Sequence, residues 1–429
     1  MKRNVLIIGA GAVAHVAAHK CAQHNDVLGD ICIASRTQYK CDAIIDSVIR
    51  KNNIKNRSGK LFSRQINAMD VPATVKLIKE TNSQIVLNLG AAFVNMSVLE
   101  ACIQAGVSYM DTAIHEEPDR VCEDPPWYAN YEWKRKDRCT QRGINAILGV
   151  GFDPGVVNAY CALAVKHHFD TIDTIDIMDV NAGSHGKYFA TNFDPEINFR
   201  EFIKVWTWID RKWVCKPIHD EKMVYTFPVV GKQTVYLNGH DELHSLFKNI
   251  DANSIRFWMG FSDHYINVFT VLKNIGLLSH QPVTTAEGLV VVPLKVVKAC
   301  LPDPGTLAQV YTGKTCIGNL IRGKKDGKEK EIFIYNICDH KKCYEEVESQ
   351  AISYTAGVPA AAAALLVANG TWNPKTMVNV EELDPDPFIE IMDKNGLPTE
   401  IKFVNPSKSD QTKEKKPSVA RTKTKARAG

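Results

Sequence analysis

The first residues with a chemical role lie close to the amino terminus. Gly9, Gly11 and Ala14 form the pattern Gly-x-Gly-x-x-Ala, directly after an apolar run and before an alanine-rich segment. The first glycine permits a tight turn, the second lets the backbone approach a pyrophosphate, and the small third residue lets helix and strand pack closely. The pattern predicts that the helix amino terminus holds a dinucleotide, with Gly9, Gly11, Ala12 and Val13 around the pyrophosphate.

The residues after the second predicted strand indicate which dinucleotide is bound. An NAD enzyme usually carries Asp or Glu there, to bind the ribose 2′-hydroxyl. This chain has Ser35, Arg36 and Thr37 instead. A carboxylate would repel a 2′-phosphate, whereas arginine pairs with it and hydroxyls donate to it. We therefore predict NADP(H) as the cofactor; the alternative interpretation is a surface arginine on a loop.

Further candidates follow the later strands, because ligands of a doubly wound sheet lie beyond the carboxyl ends of its strands. Asp70 could reach the adenine, and the small turn at Gly90 and Ala91 could pass near the nicotinamide. Each is equally compatible with ordinary turn chemistry. The strand-end candidates lie at 67–70, 88–92, 111–112 and 151–158, and those singled out among them are Asp70, Asn88, Gly90, Ala91, Asp111 and Asp153.

The hydrophobic pattern places these residues in two domains. Strands at 4–8, 30–34, 61–66, 85–89, 107–110 and 144–148 alternate with helical segments, which predicts an NADP-binding Rossmann domain over 1–150, with a doubly wound parallel sheet. Longer strands and aromatic loops predict an α+β catalytic and dimerisation domain over 151–404, with a mainly antiparallel sheet. We expect helix 355–368 to pack back on the first domain. The basic segment 405–429 has no apolar period and is predicted to be a disordered tail.

Composition narrows the class of protein. With 429 residues, of which 45% are hydrophobic and 23% charged, the chain is typical of a multidomain globular enzyme. Much of the net charge of +4 lies in the tail, which has no aromatic residue, so no nucleic-acid partner is expected. No apolar run reaches the roughly 18 to 20 residues of a membrane span. Twelve cysteines without a CxxC pair, and no signal peptide, predict a reducing, cytoplasmic compartment.

One cluster of soft ligands invites a metal interpretation. Cys338, His340 and Cys343 lie within six residues but lack the paired spacing of a structural zinc site, so no metal is expected. The segment 311–315 looks superficially like a phosphate loop, but Ala308 occupies its first glycine position and we reject that interpretation.

Several stretches together resemble the saccharopine dehydrogenase family, and most closely its bacterial branch of carboxynorspermidine (carboxyspermidine) synthases. The block containing 189–193 and 195–198 is the most specific to this branch. The resemblance implies NADPH-dependent reductive condensation of L-aspartate β-semialdehyde with a diamine, either 1,3-diaminopropane or putrescine, by a homodimer. The matching stretches are 5–11, 34–37, 109–113, 151–155, 181–201, 239–242, 354–359 and 382–388.

That reaction needs a partner for the carboxylate of the semialdehyde. Arg200 is the best candidate, since arginine binds carboxylates with two parallel hydrogen bonds, and the amides of Asn181 and Asn192 lie in the same block. The alternative for Arg200 is a salt bridge to Glu196 or Glu201.

The diamine needs carboxylates for its far ammonium and a base for its attacking nitrogen. Segment 115–133 contains both carboxylates and aromatic rings that could bind the far ammonium. The alternative is that the charged residues form a solvated face and the aromatic residues belong to the core. The residues are His115, Glu116, Glu117, Asp119, Glu123, Asp124, Trp127, Tyr128, Tyr131 and Trp133. Asp241 and Glu242 compete for the same role. For the attacking amine we predict Asp111 first and Asp153 second, with His185 as the acid and base near neutral pH, or else as an exposed, idle histidine.

Two alternatives remain open from the sequence. A saccharopine reductase or a homospermidine synthase would keep the fold with other substrates, although the latter uses NAD and disagrees with Ser35, Arg36 and Thr37. A non-catalytic dinucleotide-binding scaffold or sensor is the alternative of another class. The polar residues that a scaffold would not require argue against it: Asp111, Asp153, Asn181, Asn192 and Arg200.

Overall fold

The computed structural model describes residues 3–55, 59–118, 123–200 and 204–404, apart from the side chains of Ile197 and Arg200. The predicted tail, Asp119 and Glu201 therefore lie outside the described residues. Within them, the chain forms one parallel sheet, one larger mixed sheet and the helices that cover them.

The first sheet is the predicted doubly wound sheet, which confirms the fold class. Its strand order is β17-β6-β5-β4-β1-β2-β3 and every pairing is parallel. The strands read as nearly continuous apolar runs because helices cover both faces. They are β1 (Asn4–Ile8), β2 (Ile31–Ser35), β3 (Leu61–Gln65), β4 (Ser83–Asn88), β5 (Ser108–Asp111), β6 (Ala146–Leu148) and β17 (Met377–Asn379).

The helices of this layer follow the predicted alternation. The segment 127–142 forms two short helices separated by a single 3₁₀ turn. The helices are α1 (Ala12–Gln23), α2 (Asn25–Leu28), α3 (Gln38–Arg50), α4 (Val71–Glu80), α5 (Asn95–Ala105), α6 (Trp127–Asn130) and α7 (Lys136–Arg142).

The second sheet has the order β10-β11-β12-β7-β15-β16-β18, with β8 pairing both β12 and β9. Only the β7 and β12 pair is parallel among these, so the sheet is mainly antiparallel, as predicted. Its strands are β7 (Thr171–Asn181), β8 (Val205–Ile209), β9 (Lys212–Lys216), β10 (Lys222–Phe227), β11 (Gly231–Asn238), β12 (Ala252–Gly260), β15 (Lys314–Lys325), β16 (Lys328–Asp339) and β18 (Glu400–Val404). A separate hairpin is formed by β13 (Val283–Thr284) and β14 (Val290–Val291).

Helices pack on this sheet and join it to the first domain. They are α8 (Val156–His167), α9 (Pro195–Arg200), α10 (Leu243–Asn249), α11 (Asp263–Asn274), α12 (Pro293–Cys300), α13 (His340–Val347), α14 (Ala351–Ala368) and α15 (Asp386–Lys394). By length and composition α14 could cross a membrane, but 89% of it is buried inside the protein. It is a core helix of the fold.

The chain returns to the first domain after the second one. Helix α14 packs on α1 so closely that a Cβ on Gly357 would lie 2.6 Å from the Cβ of Val16. Strand β17 then pairs with β6, with Met377 opposite Ala146. The first sheet thus takes an edge strand from beyond residue 370, whereas the sequence placed all of 151–404 in the second domain. A buried strand of three residues is too short to show a hydrophobic periodicity, so the sequence did not predict β17.

Candidate active site

The two domains face each other across a cleft of about 1820 Å³. Its floor is formed by the carboxyl ends of β1, β2, β4 and β5, and its opposite wall by residues after β7, β11 and β12. The predicted cofactor residues that line this cleft are Gly9, Gly11, Ala12, Val13, Ser35, Arg36, Thr37, Gly90 and Ala91.

The glycine loop has the geometry of an anion site. Gly9 has a φ of 115°, and a Cβ there would lie 2.5 Å from the carbonyl oxygen of Leu89, so only glycine fits. Gly11 is the N-cap of α1, and a Cβ on it would meet no atom within 4 Å. Open space above the amino terminus of a 12-residue helix is what a pyrophosphate requires, because the first amides of the helix point into it. The loop fits a dinucleotide.

The loop after β2 is held in place by hydrogen bonds and faces the cleft. The hydroxyl of Ser35 accepts from the amide of Thr37 at 3.1 Å, and the side-chain amide of Gln65 donates to the Arg36 carbonyl at 3.0 Å. The Arg36 side chain is exposed, lines the cleft and has no ion pair among the described residues. Lys40 lines the cleft one turn into α3. Arg36 and Lys40, two cations without an ion pair in the part of the chain that the structure describes, lie beside the amino terminus of α3 and fit the 2′-phosphate of NADP.

Two predicted cofactor residues lie outside the cleft. Asp70 is the N-cap of α4, where its carboxylate accepts from the amide of Ala73 at 3.0 Å. Asn88 is buried, and its side-chain amide donates to the Oδ1 of Asn95 at 2.7 Å. The predictions of direct contact are therefore corrected: Asp70 starts a helix, and Asn88 shapes the turn that carries Gly90.

Asp111 lies beneath the cleft rather than in it. Its side chain is fully buried and does not line the cavity. One oxygen accepts from the Tyr109 hydroxyl at 2.9 Å and the other from the Gly149 amide at 2.8 Å. Burial raises the pKa of this carboxyl to about 7. This placement corrects the prediction that Asp111 touches the attacking amine; it ties β5 to the turn after β6.

Asp153, the second predicted base, does line the cleft. It lies in the turn before α8, where Gly155 has a φ of 143° and its Cβ would lie 2.0 Å from the carbonyl oxygen of Gly151. The side chain of Asn158 closes this turn by accepting from the Gly155 amide at 2.9 Å. The turn brings Asp153 to the domain boundary, and its role there stays a prediction.

An acidic corner forms where β7 and β11 end. We use this name for Asp179, His240, Asp241 and Glu116, which all line the cleft. Asp241 accepts from the amide of Ile114 in the first domain at 2.8 Å, and burial raises its pKa to about 7. Burial also raises the pKa of Asp179, to about 6. Carboxylates crowded together attract a cationic ligand, because each added positive charge relieves their repulsion.

Glu242 lies behind this corner. Its side chain is fully buried and absent from the cleft lining, so the prediction that it contacts the diamine directly is corrected. One of its oxygens lies 2.6 Å from the Nδ1 of His240. The other has no hydrogen-bond partner among the described residues.

The segment after β5 contributes less than the sequence suggested. Glu116, Glu123 and Trp127 line the cleft, but the Trp127 ring is already stacked on His244, with centroids 4.4 Å apart. Tyr128 is buried away from the cleft, and the Trp133 indole donates to Asn379. Most of these aromatic side chains serve the core.

A hydrogen-bonded chain builds the wall opposite the cofactor loops. The amide of Ala351 donates to the Nδ1 of His340, and the Nε2 of His340 lies 3.0 Å from the Oδ1 of Asn181. Asn181 donates to the hydroxyl of Tyr311 at 2.7 Å, and that hydroxyl donates to the Oδ1 of Asn192 at 2.9 Å. Within the described residues, this leaves the side-chain NH₂ of Asn192 without a partner, beside the cleft.

Two predicted site residues remain, His185 and Arg200, and the structure describes the side chain of His185 alone. His185 lines the cleft, accepts from the Lys187 amide at 3.1 Å and faces Tyr311 edge-on at 5.5 Å. Burial and the Lys187 charge lower its pKa. The Arg200 side chain lies outside what the structure describes. Its alternative partner Glu196 lies 3.5 Å from Lys298.

Sequence reasoning missed four residues of this site: Asp179, His240, Tyr311 and His340. The His-x-Glu spacing of His240 and Glu242 was the available sign, since it places a carboxylate within reach of an imidazole. Tyr311 and His340 stack at 3.8 Å but are 29 positions apart, and no local pattern relates them.

Known proteins resemble this chain over nearly its whole length. The family model described as the saccharopine dehydrogenase NADP binding domain matches residues 5–147. The model described as the saccharopine dehydrogenase C-terminal domain matches residues 151–397. The first domain is therefore an NADP-binding domain, in agreement with the loop after β2.

Individual relatives agree with the family models. A carboxynorspermidine synthase of Vibrio alginolyticus is 51% identical over 403 residues, covering 94% of this chain and 97% of that protein. A carboxyaminopropylagmatine dehydrogenase of Synechocystis is 43% identical over 403 residues, covering 92% and 96%. The solved structure of apo saccharopine dehydrogenase (L-Glu forming) from Saccharomyces cerevisiae is similar in fold, with a TM-score of 0.66 at 13% identity over 94% of this chain and 100% of that one.

Proposed function

The chain belongs to the saccharopine dehydrogenase family of NAD(P)-dependent oxidoreductases, and from this premise we propose that it condenses L-aspartate β-semialdehyde with a diamine and reduces the product with NADPH. The carboxynorspermidine synthase name of its relative supports this choice. The product would be carboxynorspermidine from 1,3-diaminopropane or carboxyspermidine from putrescine, in polyamine biosynthesis.

The acidic corner is the observation that carries the proposal. Asp179, Asp241 and Glu116 line the cleft on the side of the second domain. A diamine brings an ammonium to these carboxylates at both ends. An amino-acid amine donor, as in a saccharopine reductase, would bring a carboxylate into the same corner, where like charges repel. The corner therefore favours a diamine over an amino acid.

The cofactor is held by groups that the first domain already presents. NADPH, when bound, supplies the two electrons that reduce the carbon–nitrogen double bond. The first turn of α1 beyond Gly11 holds the pyrophosphate, and Ser35, Arg36 and Thr37 hold the 2′-phosphate. The same loop disfavours the NAD-dependent homospermidine synthase alternative.

The amino-acid end of the semialdehyde is assigned to the opposite wall. The free NH₂ of Asn192 donates to its carboxylate, and Asn181 keeps Asn192 in place through Tyr311. Arg200, from the helix that follows, supplies the positive charge. Held this way, the aldehyde carbon lies between Asn192 and the acidic corner, which is where the amine is bound.

The chain must also move one proton. The amine is a cation near neutral pH, because its pKa lies near 10, and it attacks the aldehyde only after losing a proton. The same proton must later leave with the aldehyde oxygen as water. Asp153 and His185 line the cleft and remain candidates for this work, whereas Asp111 is screened from it.

The setting of the enzyme completes the proposal. We place it in the cytoplasm, where free thiols are stable, since eleven described cysteines are unpaired. We further propose that it acts as a homodimer, which light scattering of the purified protein measures.

The test is NADPH oxidation by the purified enzyme with L-aspartate β-semialdehyde and one amine at a time. The amines are 1,3-diaminopropane, putrescine, agmatine and lysine, and agmatine is included because it appears in a relative's name. Turnover with a diamine and none with lysine is the expected result. Tight NADPH binding with no oxidation by any pair would instead support the scaffold alternative.

A further inference from the structure

His240 is held rigidly at the cleft end of β11. The preceding Gly239 lies so close to β8 that a Cβ on it would be 3.1 Å from the Trp206 amide nitrogen. The imidazole of His240 stacks on Phe257, with ring centroids 4.1 Å apart and planes 16° apart. Its side chain is 11% exposed and lines the cleft. The ring is therefore fixed in one orientation at the surface of the cleft.

The buried carboxylate of Glu242 supports this ring from behind. The Nδ1 of His240 lies 2.6 Å from one Glu242 oxygen, and the other oxygen has no hydrogen-bond partner among the described residues. A buried carboxylate beside Nδ1 favours the tautomer of the neutral imidazole that carries its proton on Nδ1, with the lone pair on Nε2. The same carboxylate stabilises the imidazolium that forms when Nε2 is protonated. The pair has the arrangement of a general base and its orienting carboxylate.

The groups around His240 are those that would bring an ammonium to it. Asp179 at the end of β7 and the adjacent Asp241 both lie close enough for the charge of His240 to lower their pKa values against the effect of burial. Glu116 faces Asp241 from the first domain, and His244 lies in α10 with a pKa lowered mainly by burial. An ammonium bound by Asp179 and Asp241 would therefore lie close to the imidazole of His240.

His185, the histidine favoured from the sequence, lacks this support. Its Nδ1 accepts from a backbone amide, and no carboxylate contacts it among the described residues. Nothing there stabilises the imidazolium that a general base becomes. The two cleft histidines therefore differ in the one property that acid and base catalysis needs.

We propose that His240 is the general acid and base of the condensation and that Glu242 is its positioning residue; the inference rests on the function proposed above. The Nε2 of His240 takes a proton from the amine cation, and the freed nitrogen lone pair forms a bond to the aldehyde carbon. The nitrogen's second proton passes to the aldehyde oxygen, giving a hydroxyl. The imidazolium then donates its proton to that hydroxyl, the carbon–oxygen bond breaks, and water leaves.

Atoms and charges are conserved over these steps. The aldehyde and the ammonium become an iminium ion and water, and the imidazole ends in the state in which it began. The nitrogen lone pair forms the carbon–nitrogen double bond as water departs, and the reductant of the proposed reaction then supplies the two electrons that reduce it.

The experiment compares His240→Asn and Glu242→Gln with the wild-type enzyme. His240→Asn should lower kcat by about 100- to 10,000-fold, the range for loss of an acid or base group, while NADPH binding measured by fluorescence is unchanged. Added imidazole should restore part of the activity of His240→Ala. Glu242→Gln should lower kcat less and move the acidic limb of the kcat/KM profile to lower pH, because the imidazolium loses its stabilising charge.

His167→Asn is the matched control. His167 also lies 2.8 Å from a carboxylate, that of Asp386, but on the exposed surface away from the cleft. It should retain wild-type kcat.

The outcomes separate this inference from the proposed function. If wild-type enzyme turns over a diamine and His240→Asn keeps more than about a tenth of its kcat, His240 is not the acid and base. An unshifted pH profile in Glu242→Gln would remove the role of Glu242. If the wild-type enzyme turns over no pair of amine and semialdehyde, the proposed function fails and the role of His240 falls with it.

Discussion

The two halves of the cleft bind their ligands by different means. The cofactor half, defined by Gly9–Val13, Ser35–Thr37 and the turn at Gly90, uses backbone amides, glycines and the side chains of one loop, all within short continuous segments. The substrate half, defined by Asp179, Asn192, His240 and Asp241, uses side chains from separate segments of the second domain. Local backbone geometry suits a ligand shared by many enzymes, whereas converging side chains suit a ligand particular to one branch.

The halves also differ in their electrostatics. Backbone amides at a helix terminus carry partial charges that do not titrate. The carboxyls of the substrate half do titrate, and burial brings the pKa of Asp241 to about 7. The substrate half alone should therefore respond to pH near neutrality.

Removing one charge from the acidic corner should have the largest effect on this contrast. In Asp241→Asn, loss of a half-buried carboxylate should lower kcat/KM for the diamine by about 100-fold, roughly 3 kcal/mol, with NADPH affinity unchanged. Steady-state kinetics with varied diamine measures it. Asp173→Asn is the control, since Asp173 lies on the same strand β7 but is exposed and accepts from the side-chain amide of Asn253 at 2.7 Å. If Asp241→Asn weakened NADPH binding as much as it lowered kcat/KM for the diamine, the division of the cleft into a cofactor half and a substrate half would be wrong.

The complementary change alters only the cofactor half. Arg36→Ser should weaken NADPH binding by about 10- to 100-fold, the value of a charge-assisted contact, and leave NADH binding unchanged. Fluorescence titration with each cofactor measures the dissociation constants. Arg64→Ser serves as the control because the Arg64 guanidinium lies over Phe62, outside the cleft. A similar loss for NADH would show that Arg36 does not contact the 2′-phosphate.

The pH dependence sharpens the same comparison. As pH falls through about 7, Asp241 takes up a proton and loses the charge that attracts the amine, which itself stays cationic. The KM for the diamine should rise about tenfold between pH 8 and pH 6, while the KM for NADPH stays flat. In Asp241→Asn this rise should shrink. A KM for the diamine that is constant with pH would remove the carboxylate from amine binding.

The smallest effect is expected in the hydrogen-bonded wall. Tyr311→Phe removes the hydroxyl that joins Asn181 to Asn192, and should lower kcat/KM for the semialdehyde about fivefold, near 1 kcal/mol. Tyr335→Phe removes a hydroxyl bonded to Glu400 outside the cleft and should leave the kinetics unchanged. If the two variants have the same kcat/KM for the semialdehyde, the hydrogen bonds of Tyr311 do not position that substrate.

The cofactor half was readable from the sequence because its determinants are local. The Gly9 to Ala14 spacing, the apolar runs around it and the loop at Ser35 lie within 40 residues, and the family model of an NADP binding domain agrees with them. Asp70 and Asn88 were placed at the correct edge of the sheet, but their side chains cap a helix and shape a turn. Strand ends predict position, and only packing decides which way a side chain faces.

The sequence by itself determined the doubly wound sheet, the nucleotide and the family, because periodicity and contiguous motifs carry that information. Tertiary structure decided that Asp111 is buried, that Asp179 and Asp241 share a corner, and that Glu242 lies behind His240. Asp179 and Asp241 are 62 positions apart in the sequence, and the Ile114 amide that Asp241 accepts from lies in the other domain. These relations depend on how the domains pack, and the free energy of burying a carboxyl exists only once that packing has formed.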